Sequence, residues 1–372
     1  AAPCPWNSNA VLLALGLRTE QIKTASANNL VFLIDVSGSM MSDDKLPLLK
    51  KAFSQLTDQL GDDDMVSIVT YSGKEEIVLD GCEGTKKAQI LKAVNSLKAS
   101  GSTNGEAGLK MAYEVAKKHF ITGGNNRIIM ASDGDLNVGM SSAQELKDFV
   151  SEKKSEGVYI SVLGFGTGNY RDGNMEAIAD NGNGVYYYID GEREAEKVFG
   201  TDLLGTLYTV AEDVKLQLTF DKDYIDSYRL VGYENRLLNK EDFEDDTKDA
   251  GEVGAGHMVT VCYELILTEK AKTEESGDWM KLAMRYKAPG ASESVLREYP
   301  IGKSVYTETP DDDFRFICAV AETSMILHKS KYVDELGIDD VLTKLSSLDL
   351  SGDADKAEFA DLVKKLVVKK GK

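Results

Sequence analysis

Three oxygen-bearing side chains stand at alternate positions in the stretch DVSGS, a spacing suited to binding a metal ion. Alternate side chains of an extended segment point to the same side, so Asp35, Ser37 and Ser39 can converge on one point. Gly38 permits the chain to turn there. One carboxylate and two hydroxyl groups are hard oxygen donors of the kind that Mg²⁺ prefers. The stretch therefore predicts a magnesium site, with Mn²⁺ or Ca²⁺ as alternative ions.

Two later loops carry further oxygen donors. Thr103 lies in the glycine-rich stretch SGSTNGEAG directly before a predicted helix. Asp133 follows the apolar run IIMAS and has the same position relative to its strand as Asp35. In an open parallel sheet, ligands bind outside the carboxyl ends of the strands, where the strand order reverses. We therefore expect these loops to meet at one edge of a sheet.

The elements that must position these residues alternate between strand and helix from residue 29 to about residue 210. Apolar runs at 30–34 and 127–131 predict strands that are buried on both faces. The intervening segments carry apolar residues at helical spacing, and the last predicted helix covers 192–210. This rhythm predicts an α/β fold with a doubly wound, mostly parallel sheet.

Segments with alternating apolar and polar residues flank this series and are typical of antiparallel sheets. One such segment is 11–17, and the others are 214–220, 259–265 and 282–286. The acidic, glycine-rich segment 239–256 is predicted to be a loop or hairpin tip. We expect the first strand to join the later ones, so that the α/β fold is inserted in or followed by an antiparallel β-domain.

A helical tail is predicted at the C-terminal end. Thr309 is the expected N-cap of one helix, with Pro310 in its first turn, and a last helix is expected over 355–369. The predicted division of the chain is an N-terminal strand segment at 1–24, the α/β domain at 25–210, the β-domain at 211–305 and a helical extension at 306–372.

Composition narrows the choice of partners. The chain has 372 residues and a net charge of −19, which disfavours binding to nucleic acid and to anionic membrane surfaces. No apolar run is long enough to span a membrane as a helix. The four cysteines match no zinc motif and no redox pair. The chain starts at Ala1 without a methionine, which suggests a processed form or a piece of a longer protein.

The ligand residues, in this order at strand ends, resemble the metal-ion-dependent adhesion site of the von Willebrand factor type A domain. All five positions match, namely Asp35, Ser37, Ser39, Thr103 and Asp133. The resemblance covers about residues 29–210 and implies that three hydroxyl groups and two carboxylates hold a divalent metal ion. It also implies that the ion keeps one open position, which an Asp or Glu side chain of a partner protein completes.

Two roles are open for Asp135 and Asn137, which lie in the same loop as Asp133. They either hold Asp133 and waters in place or simply shape the turn. The wider chain resembles a bacterial group, often lipoproteins, with a β-rich flank and a helical C-terminal extension. That resemblance implies an extracytoplasmic location, with a membrane-anchored lipoprotein as one form.

Three functions follow from these observations. The first is a metal-dependent protein-binding module without enzyme activity. The second is a scaffold in which the flanking regions bind a partner and the metal only stabilises the fold. The third is a Mg²⁺-dependent phosphotransfer enzyme, which also uses an aspartate at a strand end. The third is disfavoured because DVSGS places serines where such an enzyme needs acidic neighbours.

Overall fold

The computed structural model describes residues 1–19, 27–102, 105–134, 143–166, 172–203, 205, 209–232, 237, 239–246, 250–274, 276–333 and 337–370. These residues form a six-stranded mixed sheet, two four-stranded antiparallel sheets and a group of C-terminal helices. The predicted fold class, an α/β fold with an antiparallel β-region and a helical tail, is confirmed.

The elements follow one another in a strand-and-helix series with strand-rich regions on either side. The strands are β1 (Ala2–Pro3), β2 (Val11–Arg18), β3 (Asn28–Asp35), β4 (Met65–Tyr71), β5 (Glu75–Glu83), β6 (Asn125–Ser132), β7 (Tyr159–Phe165), β8 (Tyr186–Ile189), β9 (Thr209–Phe220), β10 (Ile225–Val231), β11 (Gly251–Gly254), β12 (Met258–Leu267), β13 (Asp278–Lys287) and β14 (Ser294–Gly302). The helices are α1 (Leu46–Gln59), α2 (Lys87–Ser96), α3 (Gly105–Lys118), α4 (Ala143–Ser155), α5 (Asp172–Asn181), α6 (Glu192–Lys197), α7 (Glu269–Thr273), α8 (Asp312–Leu327), α9 (Ile338–Leu345) and α10 (Ala354–Lys370).

The six-stranded sheet has the order β5-β4-β3-β6-β7-β8, with β3 and β6 at its centre. Neighbouring strands are parallel except β4 and β5, which form an antiparallel pair at one edge. All eight residues of β3 are buried because helices cover both faces of the sheet. One core includes Phe32 and Phe53, whose ring centroids lie 4.6 Å apart, and a second core lies on the other face. Coverage of both faces explains the continuous apolar runs in the sequence.

The strand order reverses between β3 and β6. After β3 the chain adds β4 and β5 on one side, and it then returns to add β6 on the other side. Helix α1, which follows β3, packs into one core, whereas α4, which follows β6, packs into the other. The loops that leave these two neighbouring strands therefore diverge, and the space between them is where such sheets bind ligands.

The antiparallel sheets have the orders β1-β2-β12-β10 and β11-β9-β13-β14. Strand β2 pairs with β12, with Val11 opposite Leu265. The N-terminal strand thus lies beside a strand that follows the six-stranded sheet by many residues. The path of the chain is therefore from the antiparallel region into the six-stranded sheet and back.

Several elements differ from the sequence predictions. Strands β1, β5, β10, β11 and β14 and helices α7 and α9 were not predicted, and β11 lies inside the segment 239–256 that was predicted to be a loop or hairpin tip. Strands β5 and β14 are edge strands in which four and six of the nine residues, respectively, are exposed, so they carry only a weak apolar pattern. The four residues of β11 are held by pairing with β9 rather than by their own apolar content.

Two predicted helix limits were wrong. The helix predicted over 192–210 is interrupted, since α6 ends at Lys197, a π-helical turn follows to Asp202, and β9 begins at Thr209. Helix α8 is capped by Asp311 instead of Thr309, because the Asp311 side chain accepts a hydrogen bond from the Phe314 backbone N–H at 2.8 Å. None of the helices in the described ranges combines the length and the apolar character needed to cross a membrane.

Candidate metal centre

Asp35 is the last residue of β3 and none of its surface is exposed. Its Oδ1 atom accepts a hydrogen bond from the Ser37 backbone N–H at 2.8 Å. Its Oδ2 atom accepts a bond from the Ser132 hydroxyl at 3.3 Å. Burial raises the pKa of the Asp35 carboxyl to about 6, because a charged carboxylate loses its hydration in the interior. These two hydrogen bonds offset the cost of burial only in part.

Ser37 contacts this carboxylate, and its hydroxyl oxygen lies 3.0 Å from that of Ser39. A short 3₁₀ helix, Gly38–Met41, follows Ser37 and turns the chain away from the strand. Ser37 is buried and Ser39 is exposed, so the pair reaches from the interior to the surface. The predicted convergence of alternate side chains is therefore present for the two serines.

The loop before α3 contacts the loop after β3. The Gly38 backbone N–H donates to the Gly101 carbonyl at 3.1 Å, and the Ser100 N–H donates to the Val36 carbonyl at 2.7 Å. Helix α3 packs closely against the end of β4, because a Cβ at Gly108 would lie 2.6 Å from the Cβ of Tyr71. The fourth predicted ligand, Thr103, lies outside the described residues.

Asp133 follows β6, the neighbour of β3, at the same edge of the sheet. Its Oδ2 atom lies 2.8 Å from the Lys45 ammonium group, and only 5% of its side chain is exposed. The parallel register sets Ile34 opposite Ala131, so the residues that follow them, Asp35 and Ser132, meet at the strand ends. Asp135 and Asn137 lie outside the described residues.

Three side chains of this edge were not identified from the sequence. Ser132 donates to Asp35, and its position next to Asp133 in a parallel strand was the available signal. Tyr71 ends β4 opposite Asp35, and its buried hydroxyl has no hydrogen-bond partner within the described ranges. Burial and the negative charge of Asp35 raise the pKa of Tyr71. Lys45 had no distinctive sequence signal, because its ion pair joins residues 88 positions apart.

The donor chemistry of this edge fits a hard divalent cation. A buried carboxylate, two adjacent hydroxyl groups and a second carboxylate on the next strand are oxygen donors of the type that Mg²⁺, Mn²⁺ and Ca²⁺ bind. In the part of the chain that the structure describes, no cationic side chain forms an ion pair with Asp35. Among the same described residues, no three His, Cys, Asp or Glu side chains form a group that could hold a metal ion.

Comparison with known proteins agrees with this geometry. Residues 29–201, which include all but the first residue of the six-stranded sheet, match the von Willebrand factor type A domain family. These residues form a von Willebrand factor type A domain. Domains of this family are commonly protein-interaction modules, and they often bind a divalent metal ion.

The region that follows the von Willebrand factor type A domain also has relatives. Residues 205–368 match a family described as the C-terminal part of the uncharacterized protein YfbK. YfbK of Escherichia coli (strain K12) is 41% identical over 350 residues, which cover 90% of this chain and 60% of that protein. Inter-alpha-trypsin inhibitor heavy chain H3 of Homo sapiens is 27% identical over 271 residues, which cover 68% of this chain and 30% of that protein. The chain thus spans less than two thirds of either relative.

A solved structure resembles most of the chain. The von Willebrand factor type A protein from Catenulispora acidiphila has a TM-score of 0.51 and 17% sequence identity, and the match covers 96% of this chain and 85% of that one. At this identity the likeness establishes the fold alone. Relatives of the von Willebrand factor type A domain include extracellular and membrane-associated proteins.

Proposed function

We propose that the von Willebrand factor type A domain of this chain binds a divalent metal ion and, through that ion, an Asp or Glu side chain of a protein partner. The proposed ligands are Asp35, Ser37, Ser39, Thr103 and Asp133. Mg²⁺ is the proposed ion because all five are hard oxygen donors, and Mn²⁺ or Ca²⁺ can use the same set. The proposed function is binding without enzyme activity.

The burial of Asp35 is the observation that carries this proposal. A carboxylate with no exposed surface and a pKa of about 6 is only partly stabilised by its two hydrogen bonds. A cation held beside it would favour the charged form and offset the cost of burial. The serine hydroxyl groups, 3.0 Å apart at the same strand end, supply neutral oxygens for the same ion.

Charge supports the further step to an acidic partner. Asp35 and Asp133 together balance two positive charges, but Lys45 already lies 2.8 Å from Asp133. The hydroxyl ligands are neutral, so the site as a whole retains positive charge toward an incoming carboxylate. Ser39 and Met41 are exposed at the rim, and 65% of the Met41 surface is accessible, so a partner can reach this side of the site.

Other parts of the proposal extend beyond the five ligands. We include Asp135 and Asn137 as residues that orient Asp133, with the shaping of a turn as their alternative role. We also propose the division into segments 1–24, 25–210, 211–305 and 306–372, and an extracytoplasmic, lipid-anchored protein. Cell fractionation and lipid labelling of the natural protein would test the location.

The enzyme alternative finds little support in the geometry. A nucleophilic aspartate must present an oxygen to its substrate, whereas Asp35 is fully buried and both its oxygens accept hydrogen bonds. Turnover of an acyl phosphate that is lost in the Asp35→Asn variant would restore this alternative.

Partner capture with and without metal tests the proposed function. The chain is immobilised and incubated with extract of its own cells in Mg²⁺ or in EDTA, and the retained proteins are compared. We expect specific capture in Mg²⁺ that is lost in EDTA and in the Asp35→Ala and Thr103→Ala variants. The Asp80→Ala variant is the matched control, because Asp80 pairs with Lys118 and His119 on α3 and its neighbouring turn, away from the strand ends.

Direct metal titration completes this test. Mn²⁺ binding at one site, lost in Asp35→Ala but kept in Asp80→Ala, is the expected result. Capture that is equal in Mg²⁺, in EDTA and in all three variants would favour the scaffold function. Circular dichroism of each variant confirms that its fold is intact.

A further inference from the structure

Lys45 links three parts of the candidate metal centre. It lies directly before α1, and its ammonium group donates to the Ser39 carbonyl at 2.9 Å and to Asp133 Oδ2 at 2.8 Å. Its aliphatic stem lies against Gly166, where a Cβ would come within 2.5 Å of the Lys45 Cε atom. The side chain therefore crosses from the loop after β3 to the ends of β6 and β7.

The position of this ammonium group matters because it neutralises one of two neighbouring carboxylates. Asp35 and Asp133 lie at the ends of adjacent strands, and Ser132 joins them by its hydrogen bond to Asp35. The Lys45 side chain is 19% exposed and the Asp133 side chain 5% exposed, so water screens their attraction only in part. A lysine ammonium is a compact charge on a flexible stem, so it can leave a carboxylate without moving the backbone.

We propose that Lys45 is a positioning residue that holds Asp133 in the metal-free domain. By competing for the Asp133 carboxylate, Lys45 lowers the affinity of the domain for the divalent ion. This inference rests on the proposed metal binding and goes beyond it. The lysine stabilises the two-carboxylate edge when no ion is bound. This stabilisation of the metal-free state makes the free energy of metal binding less favourable.

The Ser39 carbonyl gives the ammonium group a second partner. A lysine that loses Asp133 to a metal ion can keep the hydrogen bond to Ser39, so the exchange does not leave the charge without any partner. A purely structural ion pair makes a different forecast, because its loss would loosen Asp133 and weaken metal binding. The direction of the change in affinity therefore distinguishes the two roles.

Isothermal titration with Mn²⁺ tests this inference on the wild-type chain and on Lys45→Met and Lys45→Arg. We expect Lys45→Met to bind Mn²⁺ about tenfold more tightly, the scale of one hydrogen bond to a charged group. Lys45→Arg keeps the positive charge and should remain close to wild type. Lys118→Met is the matched control, since it removes the same charge from an exposed ion pair with Asp80 and should leave Mn²⁺ affinity unchanged.

A second variant and a second measurement test the inference even if Lys45→Met fails to fold. Lys45→Gln keeps a hydrogen-bond donor without the charge and should also bind Mn²⁺ more tightly than wild type. Thermal unfolding in EDTA and in Mn²⁺ should show a larger metal-induced rise in Tm for both neutral variants. Variants that fold only with Mn²⁺ present support the inference, because the lysine is then needed only in the metal-free state.

Unchanged or weaker Mn²⁺ affinity in both neutral variants would overturn the role of Lys45, and so would failure of both to fold even with Mn²⁺. Either result leaves the proposed metal site standing as long as the wild-type chain binds Mn²⁺. If the wild-type chain itself binds no Mn²⁺, the proposed function fails and the inference falls with it.

Discussion

Two buried aspartates lie at opposite ends of the strands of the same sheet, one at the carboxyl end of β3 and one before the amino end of β4. Their surroundings differ. Asp64 lies directly before β4, and its carboxylate accepts three hydrogen bonds, from the Asn28 and Gly61 backbone N–H groups and from the Asn28 side-chain amide, at 3.0, 2.7 and 2.7 Å. Asp35 ends β3 and accepts two, one of them from a hydroxyl at 3.3 Å. Asp35 is completely buried, and desolvation raises the pKa of its carboxyl to about 6.

These different surroundings distinguish a structural carboxylate from a proposed metal ligand. Fixed N–H donors on both oxygens make Asp64 part of the fold, since removing the charge would leave those donors with a poorer partner. Asp35 instead lies near the hydroxyl groups of Ser37, Ser39 and Ser132, whose oxygen atoms can also bind a metal ion. These hydroxyl groups offset the burial of the Asp35 carboxylate only in part by donating hydrogen bonds, and their oxygens are available to the proposed cation.

The largest effect is expected when Asp35 is changed to Asn. Burial of the charged form disfavours folding at neutral pH. The metal-free Asp35→Asn variant should therefore be more stable than wild type by about 3 kcal/mol at pH 7.5, because the folded pKa of about 6 lies above the ordinary value of 3.8. The variant should also lose the response to Mg²⁺, which for wild type is about 2.7 kcal/mol at a hundredfold excess over Kd. Denaturant unfolding in EDTA and in Mg²⁺ measures both changes.

The pH dependence of the higher stability of Asp35→Asn is the control for this prediction. The folded pKa of about 6 lies above the ordinary value of 3.8, so the contribution of Asp35 to stability is complete below pH 4 and is lost as the pH rises through 6. The advantage of the Asn variant should therefore appear at pH 7.5 and vanish near pH 4. An advantage that is equal at both pH values would mean that Asp35 is not titrating as proposed.

The second largest effect is expected for Asp64→Asn, the same substitution at the other end of the strands. An amide cannot accept all three hydrogen bonds, because one of its two oxygen positions becomes an NH₂ donor facing N–H groups. We expect a loss of about 1–3 kcal/mol in the free energy of unfolding, equal in EDTA and in Mg²⁺. If Mg²⁺ no longer raised the free energy of unfolding of Asp64→Asn, the two aspartates would not differ in their role in metal binding.

The buried strands, and the positions of Asp35 and Asp133 at the ends of theirs, could be predicted because their signals are local. The run before Asp35 has apolar residues without alternation, which is typical of a strand covered on both faces. The equivalent positions of Asp35 and Asp133 after their strands then place both at the same edge of the sheet. A parallel sheet brings together residues that are far apart in sequence whenever they have the same position relative to their strands.

The remaining features depend on tertiary contacts that no local pattern encodes. Strand β11 exists because it pairs with β9. The cap of α8 lies two residues after the predicted one, because Thr309 and Asp311 are both of a residue type that caps helices. Lys45 reaches Asp133 only because β3 and β6 are neighbours, and two of the three hydrogen bonds to Asp64 come from Asn28, which is distant in sequence. Sequence spacing identified the side chains that could hold a metal, but not the side chains that neutralise or satisfy them.

The smallest expected effect is on metal affinity between pH 7 and pH 5. A divalent ion needs the charged form of Asp35, and below its pKa of about 6 a proton occupies that carboxylate. Affinity for Mn²⁺ should therefore be nearly constant above pH 7 and fall about tenfold at pH 5, since one pH unit below a pKa leaves about a tenth of the group charged. Titration calorimetry at the two pH values measures this fall, and Asp64→Asn should reproduce it because Asp64 lies at the opposite end of the strands. A constant affinity over this range would place the ion away from Asp35, and the two aspartates would then have to be regarded as alike.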